Sequence, residues 1–395
     1  MKQLKLRKGA EKRIKAGHLW VYSNEVDVNA TPLKDFSAGE QCLLESASGQ
    51  HLGLVIVNPA NLICGRLVSR DKQAKLDKSL LTHRIKIASA LREQRYDSAC
   101  YRLVYGDSDG LPGLVIDRFL NHFVVQISNA GMERLKDEIV QVLEKLFKPE
   151  SILFKNNGKM RLSEGLESYV TFAKGDCAVP QLEENGVKFR VPTTTGQKTG
   201  WFYDHREGRD ALRHYVKGKR VLDLFSYIGG WGVQAAAFGA KEVVCVDSSS
   251  QALEYVAKNA QLNECADKVS VLEGDVFDVC KTLKAEGQRF DVVIADPPAF
   301  IPRRKDKKAG EAAYQRLNQL AMRLLSKDGL LVSASCSMHL AEETLVDILR
   351  KTARTLEKDT QIIERFTQGA DHPVLSAIPE TRYLKALFVR VLPQG

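Results

Sequence analysis

Apolar and polar positions follow three different rhythms along this chain. From residue 1 to about 72 the apolar runs are short and strand-like. Gln41–Leu44 and His51–Val57 are the clearest, joined by the turn S-A-S-G-Q, and they predict a small β-rich unit. From about 73 to 185 a helical period comes first, with Leu80, Leu81, Ile85, Ile87, Ala88 and Leu91 on one side of Leu76 to Arg95. The stretch Y-R-L-V-Y-G-D-S-D-G-L-P-G-L-V-I-D-R-F then reads as two strands about a tight Asp/Gly/Pro turn. A strand at His122–Ile127 and an amphipathic helix from Met132 to Leu146 complete a central α/β unit. From Gly186 onward strands and helices alternate, as in a doubly wound sheet. Strands are expected there at 220–225, 242–247, 268–273, 290–295, 329–335 and 384–391.

Composition narrows the class. A chain of 395 residues is too long for one ordinary core, and 44% hydrophobic with 27% charged residues is a soluble, globular balance. No apolar run is long enough to span a bilayer, so no membrane partner is expected. The basic start M-K-Q-L-K-L-R-K-G lacks an apolar segment and a cleavage site, and reads as no signal peptide. Eight cysteines (42, 64, 100, 177, 245, 265, 280, 336) form no C-x-x-C pair. That argues against disulfides and a structural metal, and for a reducing cytoplasm.

A net charge of +9 makes a polyanionic partner plausible, nucleic acid first. The first twenty residues concentrate that charge in Lys2, Lys5, Arg7, Lys8, Lys12, Arg13, Lys15 and His18, against Glu11 alone. Lys8, Arg13, Lys15 and His18 are candidates for RNA phosphates, and Trp20 for stacking on a base. A solvated basic arm with Trp20 in a core is the structural alternative. The run Arg303, Arg304, Lys305, Lys307, Lys308 is open to the same two readings. Asp107, Asp109 and Asp117 imitate a metal site, but D-S-D-G before L-P-G is better explained as turn chemistry.

Candidate chemistry begins at V-L-D-L-F-S-Y-I-G-G-W-G, Val221 to Gly232. A buried strand ends in a turn containing Gly229 and Gly230 that opens a helix, the arrangement that holds a nucleotide-like cofactor at a sheet edge. V-V-C-V-D ends at Asp247, about twenty residues on, where a carboxylate takes ribose hydroxyls. V-S-V-L-E-G-D ends at Asp275. F-D-V-V-I-A-D-P-P-A-F then places Asp296 at the same edge, with prolines stiffening the loop behind it. Glycines plus one acid suit a dinucleotide enzyme equally well. With Asp223 and D-P-P added, the set resembles a class I S-adenosylmethionine (SAM) methyltransferase acting on planar bases. G-L-L-V-S-A-S-C-S-M-H finally delivers Cys336 to that edge. Cytosine C5 is a poor nucleophile, and a thiolate adding to C6 would activate it. Asp296, if protonated, could bond the cytosine N3/N4 edge of the flipped base and stabilise the adduct.

The whole chain resembles the RlmI-type large-subunit rRNA (cytosine-C5) methyltransferases. The carrying motifs are L-V-Y-G-D-S-D-G-L-P-G-L-V-I-D-R, T-G-Q-K-T-G-W-F-Y-D-H-R, D-L-F-S-Y-I-G-G-W, V-D-S-S, E-G-D-V-F-D, D-P-P-A-F and S-C-S. The resemblance implies an α/β protein with a β-rich PUA-like RNA-binding domain over 1–72. A central α/β domain with a β-hairpin would cover 73–185, and a Rossmann-like methyltransferase domain 186–395. It implies SAM as cofactor. Its substrate would be one cytidine of 23S rRNA, position 1962 in the family's reference, presented as naked rRNA or in a large-subunit assembly intermediate. It also implies a cofactor pocket lined by Gln197, Tyr203, Asp223, Ser226, Asp247, Asp275 and Asp296. Two positions depart from the pattern. Ala299 stands where many RNA cytosine-C5 methyltransferases carry a second cysteine, so no residue is assigned to remove the C5 proton. Ile228 stands where relatives more often have Thr. The alternatives are a guanine-N7 methyltransferase of the same fold and a non-catalytic RNA-binding assembly factor.

Overall fold

In the computed structural model, which describes residues 1–394, the chain builds sheets of five, five and seven strands and a two-stranded hairpin. Two units result. One comprises residues 1–180, 192–203 and 370–381; the other comprises 181–191, 204–369 and the chain from 382. The exchange from one unit to the other therefore occurs in steps at 181, 192 and 204, and not at a single boundary near 186. The segment 370–381 returns to the first unit late in the chain, which no local pattern announces.

In the first unit, the N-terminal sheet runs in the order Gln3–Lys5, Glu40–Glu45, His51–Val57, Ile63–Ser69, Trp20–Tyr22. Leu4, Leu6, Ile14, Val21, Leu44, Val55 and Val57 close its core. The second sheet runs Tyr169–Lys174, Ser151–Asn156, His122–Ile127, Leu114–Phe119, Cys100–Tyr105. The helix Lys78–Arg95 buries Leu81, Ile85 and Ala88 as its period requires. Ile87 and Leu91 are instead exposed, because the buried stripe continues through Ser89 and Arg92. Arg92 is buried because Asp109 takes both its terminal nitrogens at 2.7 and 2.8 Å, while Nε donates to Arg102 O and Nη2 also to Asp371 O. The expected helix from Met132 to Leu146 is broken into Ala130–Glu133 and Lys136–Phe147. The motif aspartates are ion-paired: Asp107 with Arg66, Asp109 with Arg92, Asp117 with Arg102. Asp107 and Asp109 thereby fix the turn, whereas Asp117 sits in the strand Leu114–Phe119, opposite Arg102 in the ladder.

In the second unit the seven strands are β1 (Arg220–Leu224), β2 (Glu242–Asp247), β3 (Val269–Glu273), β4 (Phe290–Ala295), β5 (Leu325–Ser335), β6 (Lys358–Phe366) and β7 (Lys385–Pro393). Their spatial order is β3-β2-β1-β4-β5-β7-β6. β1 to β5 pair in parallel and β7 pairs antiparallel with both β5 and β6. Val221, Leu222, Val243, Val246, Val293 and Ile294 are buried, as the centre of a sheet covered on both faces demands. Each such side chain contributes about 1.5–3 kcal/mol by leaving water. β6 was absent from the expected strands. It reads K-D-T-Q-I-I-E-R-F, an edge strand whose polar alternation resembles solvated coil. The sheet order reverses between β2-β1 and β4, which puts a crevice at the carboxyl ends of β1 and β4.

Candidate active site

The chain leaves β1 at Leu224 and turns through an alternating backbone. Phe225 and Tyr227 adopt left-handed φ values of 61° and 50°, and Gly229 one of 89°. Non-glycine residues hold that region only when surrounding bonds over-determine it. Here Ser226 N–H donates to Val246 O at 2.9 Å, and Tyr227 N–H donates to Asp247 Oδ2 at 2.9 Å. Asn259 Nδ2 donates to Ile228 O at 3.1 Å from the helix Ser250–Leu262. A Cβ on Gly229 would lie 2.6 Å from Val233 Cγ2, so the turn closes only on glycine. Asp223 is buried beneath this turn, accepting from Gly232 N–H at 2.8 Å. Burial pushes its pKa well up, against the Gly232 hydrogen bond, and the Asp296 and Asp247 charges push the same way as burial. Asp223 Oδ1 and Ser226 Oγ are buried polar atoms with no partner among the described residues. Buried orphans of this kind, at a crevice, fit a polar ligand such as a nucleoside cofactor.

Asp247 ends β2. One oxygen holds Tyr227 N–H and the other accepts from Ser249 N–H at 2.9 Å. The partly exposed carboxylate thus secures the glycine turn and retains lone pairs for ribose hydroxyls. Asp275 caps the helix Val276–Ala285, accepting from Phe277 and Asp278 N–H at 2.9 and 3.2 Å. Its local role is capping, which a D-V-F-D sequence before an apolar run also permits.

Asp296 follows β4 and is held from both sides. Trp231 Nε1 donates to Oδ2 at 2.9 Å, and His205 Nε2 lies 3.1 Å from Oδ1. The two rings meet edge to face with centroids 5.4 Å apart. Burial alone would lower the His205 pKa, but the Asp296 charge and hydrogen bond, with Asp204 adding to them, raise it overall. A carboxyl group whose two oxygens already accept N–H donors is placed to accept further, not to donate. His205 and Trp231 are site residues that the sequence does not single out: they lie in T-G-Q-K-T-G-W-F-Y-D-H-R and D-L-F-S-Y-I-G-G-W, but nothing in their spacing points to Asp296. A histidine whose folded pKa is raised stabilises the fold fully below its ordinary value of 6.5 and less as pH climbs through the folded value. His205→Gln is therefore expected to cost about 1–3 kcal/mol near pH 6, and progressively less toward pH 9. Denaturant midpoints of both proteins across that range check it; a pH-independent difference would mean that folding leaves the His205 pKa unshifted.

Cys336 follows β5, whose carboxyl end adjoins that of β4 through the Ala295–Ser333 pair. The thiol residue is partly exposed, unlike buried Cys42, Cys64, Cys100, Cys245, Cys265 and Cys280. Its flanking serines are locked. Ser335 Oγ donates to Tyr314 OH at 2.8 Å, Tyr314 OH pairs with Ser337 Oγ at 2.8 Å, and Ser337 Oγ accepts from Ile301 N–H at 3.2 Å. Tyr314 comes from the helix Lys307–Leu324 and is fully buried. S-C-S is thus two anchors with the cysteine between them.

The remaining expected site residues lie in the first unit. Gln197 is exposed in the segment 192–203, which is tied to the second sheet. Lys155 Nζ donates to Gly196 O and Thr199 Oγ1 donates to Asp117 Oδ2, each at 2.5 Å. Tyr203 is buried against Phe119 and its hydroxyl donates to Arg118 O at 2.8 Å. Among the RNA candidates, Lys8 and Lys15 are exposed. Arg13 is engaged by Glu25 at 2.7 Å and lies over the Tyr22 ring. His18 Nδ1 accepts from Trp20 N–H at 3.1 Å and from Arg13 at 2.9 Å. Burial lowers its pKa and Arg13 adds to this, against Glu380 and Glu25, which favours the neutral ring over a phosphate-binding cation. Trp20 is half-buried, edge-on to His18. Arg13 and His18 are thus engaged by partners within the unit, while Lys8 and Lys15 are exposed.

No helix among the described residues is long and apolar enough to cross a membrane, and no group of three or more metal-ligating side chains occurs among them. The S-adenosylmethionine-dependent methyltransferase family profile matches residues 170–390, and a PUA-like domain profile matches residues 4–70. The ribosomal RNA large subunit methyltransferase I of Erwinia tasmaniensis is 36% identical over 399 residues, 99% of each chain. The protein of that name from Shigella boydii serotype 18 is 35% identical, also over 99% of each chain. Among solved structures, a methyltransferase complexed with SAH superimposes with a TM-score of 0.84 at 22% identity, covering 99% of this chain and 100% of its own. A SAM-dependent methyltransferase from Streptococcus mutans gives 0.82 at 22% identity, with the same coverage.

Proposed function

The chain belongs to the ribosomal RNA large subunit methyltransferase I family, with a PUA-like domain and SAM as its cofactor, and from that premise we propose that it methylates C5 of one cytosine in 23S rRNA. The relatives' names supply the large-subunit rRNA; Cys336 and Asp296 support the choice of base and atom. The observation that carries the reading is Cys336, partly exposed between two locked serines, on the strand next to the one that delivers Asp296.

On this reading the Cys336 thiolate adds to C6 of the target base, forming an S–C6 bond and moving an electron pair toward C5. SAM supplies, when bound, the methyl group that the activated C5 takes up. Transfer of the C5 proton to water and cleavage of the S–C6 bond then restore the ring and the thiolate. Asp296, fixed as an acceptor by Trp231 and His205, takes an N–H of the cytosine 4-amino group. A uracil offers no hydrogen there, so this contact also selects the base. Asp247 accepts the ribose hydroxyls, while Asp223 Oδ1 and Ser226 Oγ, orphaned beneath the turn, complete the polar wall facing the cofactor. The target base leaves its stack to reach the crevice.

Labelled SAM with unmodified large- and small-subunit rRNA transcripts and a large-subunit assembly intermediate, followed by nucleoside digestion, tests the reading. The expected outcome is label in 5-methylcytidine from 23S rRNA alone. Label in 7-methylguanosine would leave the fold and cofactor standing and return Cys336 to an ordinary thiol. SAM binding with no transfer to any of these RNAs would favour an assembly factor.

A further inference from the structure

Lys385 is a buried cation at the edge of the loop that carries Cys336. It opens β7 and sits directly opposite Ser335 in the antiparallel β5–β7 ladder. Its side chain reaches past that pair. Nζ donates to Ser337 O at 2.7 Å and to Leu340 O at 2.6 Å, the first being the residue immediately after Cys336. An ammonium taken out of water costs several kcal/mol unless charge and hydrogen bonds compensate. Two carbonyls satisfy two of its three donors, but carbonyls carry no net charge. A negative group in the pocket would offset that charge, and a thiolate at the residue before Ser337 would supply one.

We propose that Lys385 is the positioning residue for Cys336, its buried ammonium serving as the countercharge that holds the thiol ionised. This rests on the reading of Cys336 as nucleophile. The charged groups around the ammonium are few. Arg382 lies just before it and is paired with Glu342, and Tyr314 closes the other side through Ser335 and Ser337. Burial pulls the Lys385 pKa down to about 8, and the Cys336 charge acts against that fall, as does Glu342, with Arg382 adding to it. Burial raises the Tyr314 pKa, opposed by both serine hydrogen bonds and supported by Cys336. Tyr314 thus remains a neutral phenol that fixes the serines, and Lys385 is the group that supplies charge. The thiolate it favours is the form that adds to C6.

The test reads the thiol and not the methylation. Iodoacetamide alkylation of Cys336 is followed from pH 6 to 10 by mass spectrometry of its peptide in the wild-type protein, Lys385→Met and Lys385→Arg. The wild type is expected to titrate at least one unit below an ordinary thiol of about 8.5. Lys385→Met should raise that midpoint by one unit or more, slowing alkylation at pH 7 about tenfold, with SAM affinity unchanged. Lys385→Arg, which keeps the charge, should stay near wild type. A folded Lys385→Met that titrates like wild type overturns the proposal. So does a wild-type midpoint at or above the ordinary value, which decides the matter even where the variant does not fold. A lowered, Lys385-dependent midpoint without 5-methylcytidine formation would overturn the reaction and leave the ion pair; 5-methylcytidine with an insensitive midpoint would do the reverse.

Discussion

Cys336→Ala is expected to lose methyl transfer by at least about 10³-fold, while SAM affinity stays within about twofold. The loss is large because C5 has no other route to nucleophilic character: without the S–C6 bond the ring keeps its aromatic electron distribution. The variant should fold. Cys336 is partly exposed, and its neighbours Ser335 and Ser337 are held to Tyr314 through their own hydroxyls. SAM binding should survive because the glycine turn, Asp223 and Asp247 belong to β1 and β2. Single-turnover label incorporation and a SAM titration on the same preparation separate the two quantities. A second arm uses RNA with 5-fluorocytidine at the target. Fluorine cannot leave as the proton does, so the wild-type protein should remain covalently attached to that RNA and Cys336→Ala should not. Substantial transfer by the variant, or an equal adduct on both proteins, would sink the covalent path.

The parallel strands and the glycine turn were legible because each is a local signal. A run of buried β-branched residues ending in glycine or aspartate marks β1, β2 and β4 wherever it occurs. β6 was not legible, since an edge strand buries little and its K-D-T-Q-I-I-E-R-F alternation carries more charge than apolar surface. Ile87 and Leu91 misled for the opposite reason: a helix can bury an arginine in their place when Asp109 takes both terminal guanidinium nitrogens and Arg102 O takes the Nε. Among the site residues, Cys336 and Asp296 announce themselves through the motifs that hold them. His205, Trp231 and Lys385 act on them from other elements, and their meaning is created only when β4, β5 and β7 come together. The basic N-terminus shows the same limit. Charge counts Arg13 and His18 as cations for RNA, whereas the fold spends one on Glu25 and buries the other.

Asp247→Ala is expected to weaken SAM binding about 10- to 100-fold, with the maximal rate at saturating SAM much less affected. A hydrogen bond to a charged acceptor contributes about 1.5–3 kcal/mol, and 1.4 kcal/mol is a factor of ten. Removing the carboxylate takes away the ribose acceptor and also releases Tyr227 N–H and Ser249 N–H. Those two losses differ in their consequences, and Asp247→Asn tells them apart. The amide keeps one acceptor oxygen for the turn or the ribose but not the charge, so an intermediate affinity is expected with near wild-type stability. If Asp247→Ala loses affinity and stability while Asp247→Asn loses neither, the residue serves the turn: Phe225 and Tyr227, held at positive φ, relax when nothing anchors the Tyr227 amide. If both variants bind SAM as wild type does, the ribose lies elsewhere on the β1–β2 edge. The remaining rate matters equally, because Asp247 sits two strands from Asp296. A variant that binds poorly but transfers at full speed when saturated shows that the cofactor half and the base half of the crevice are built independently.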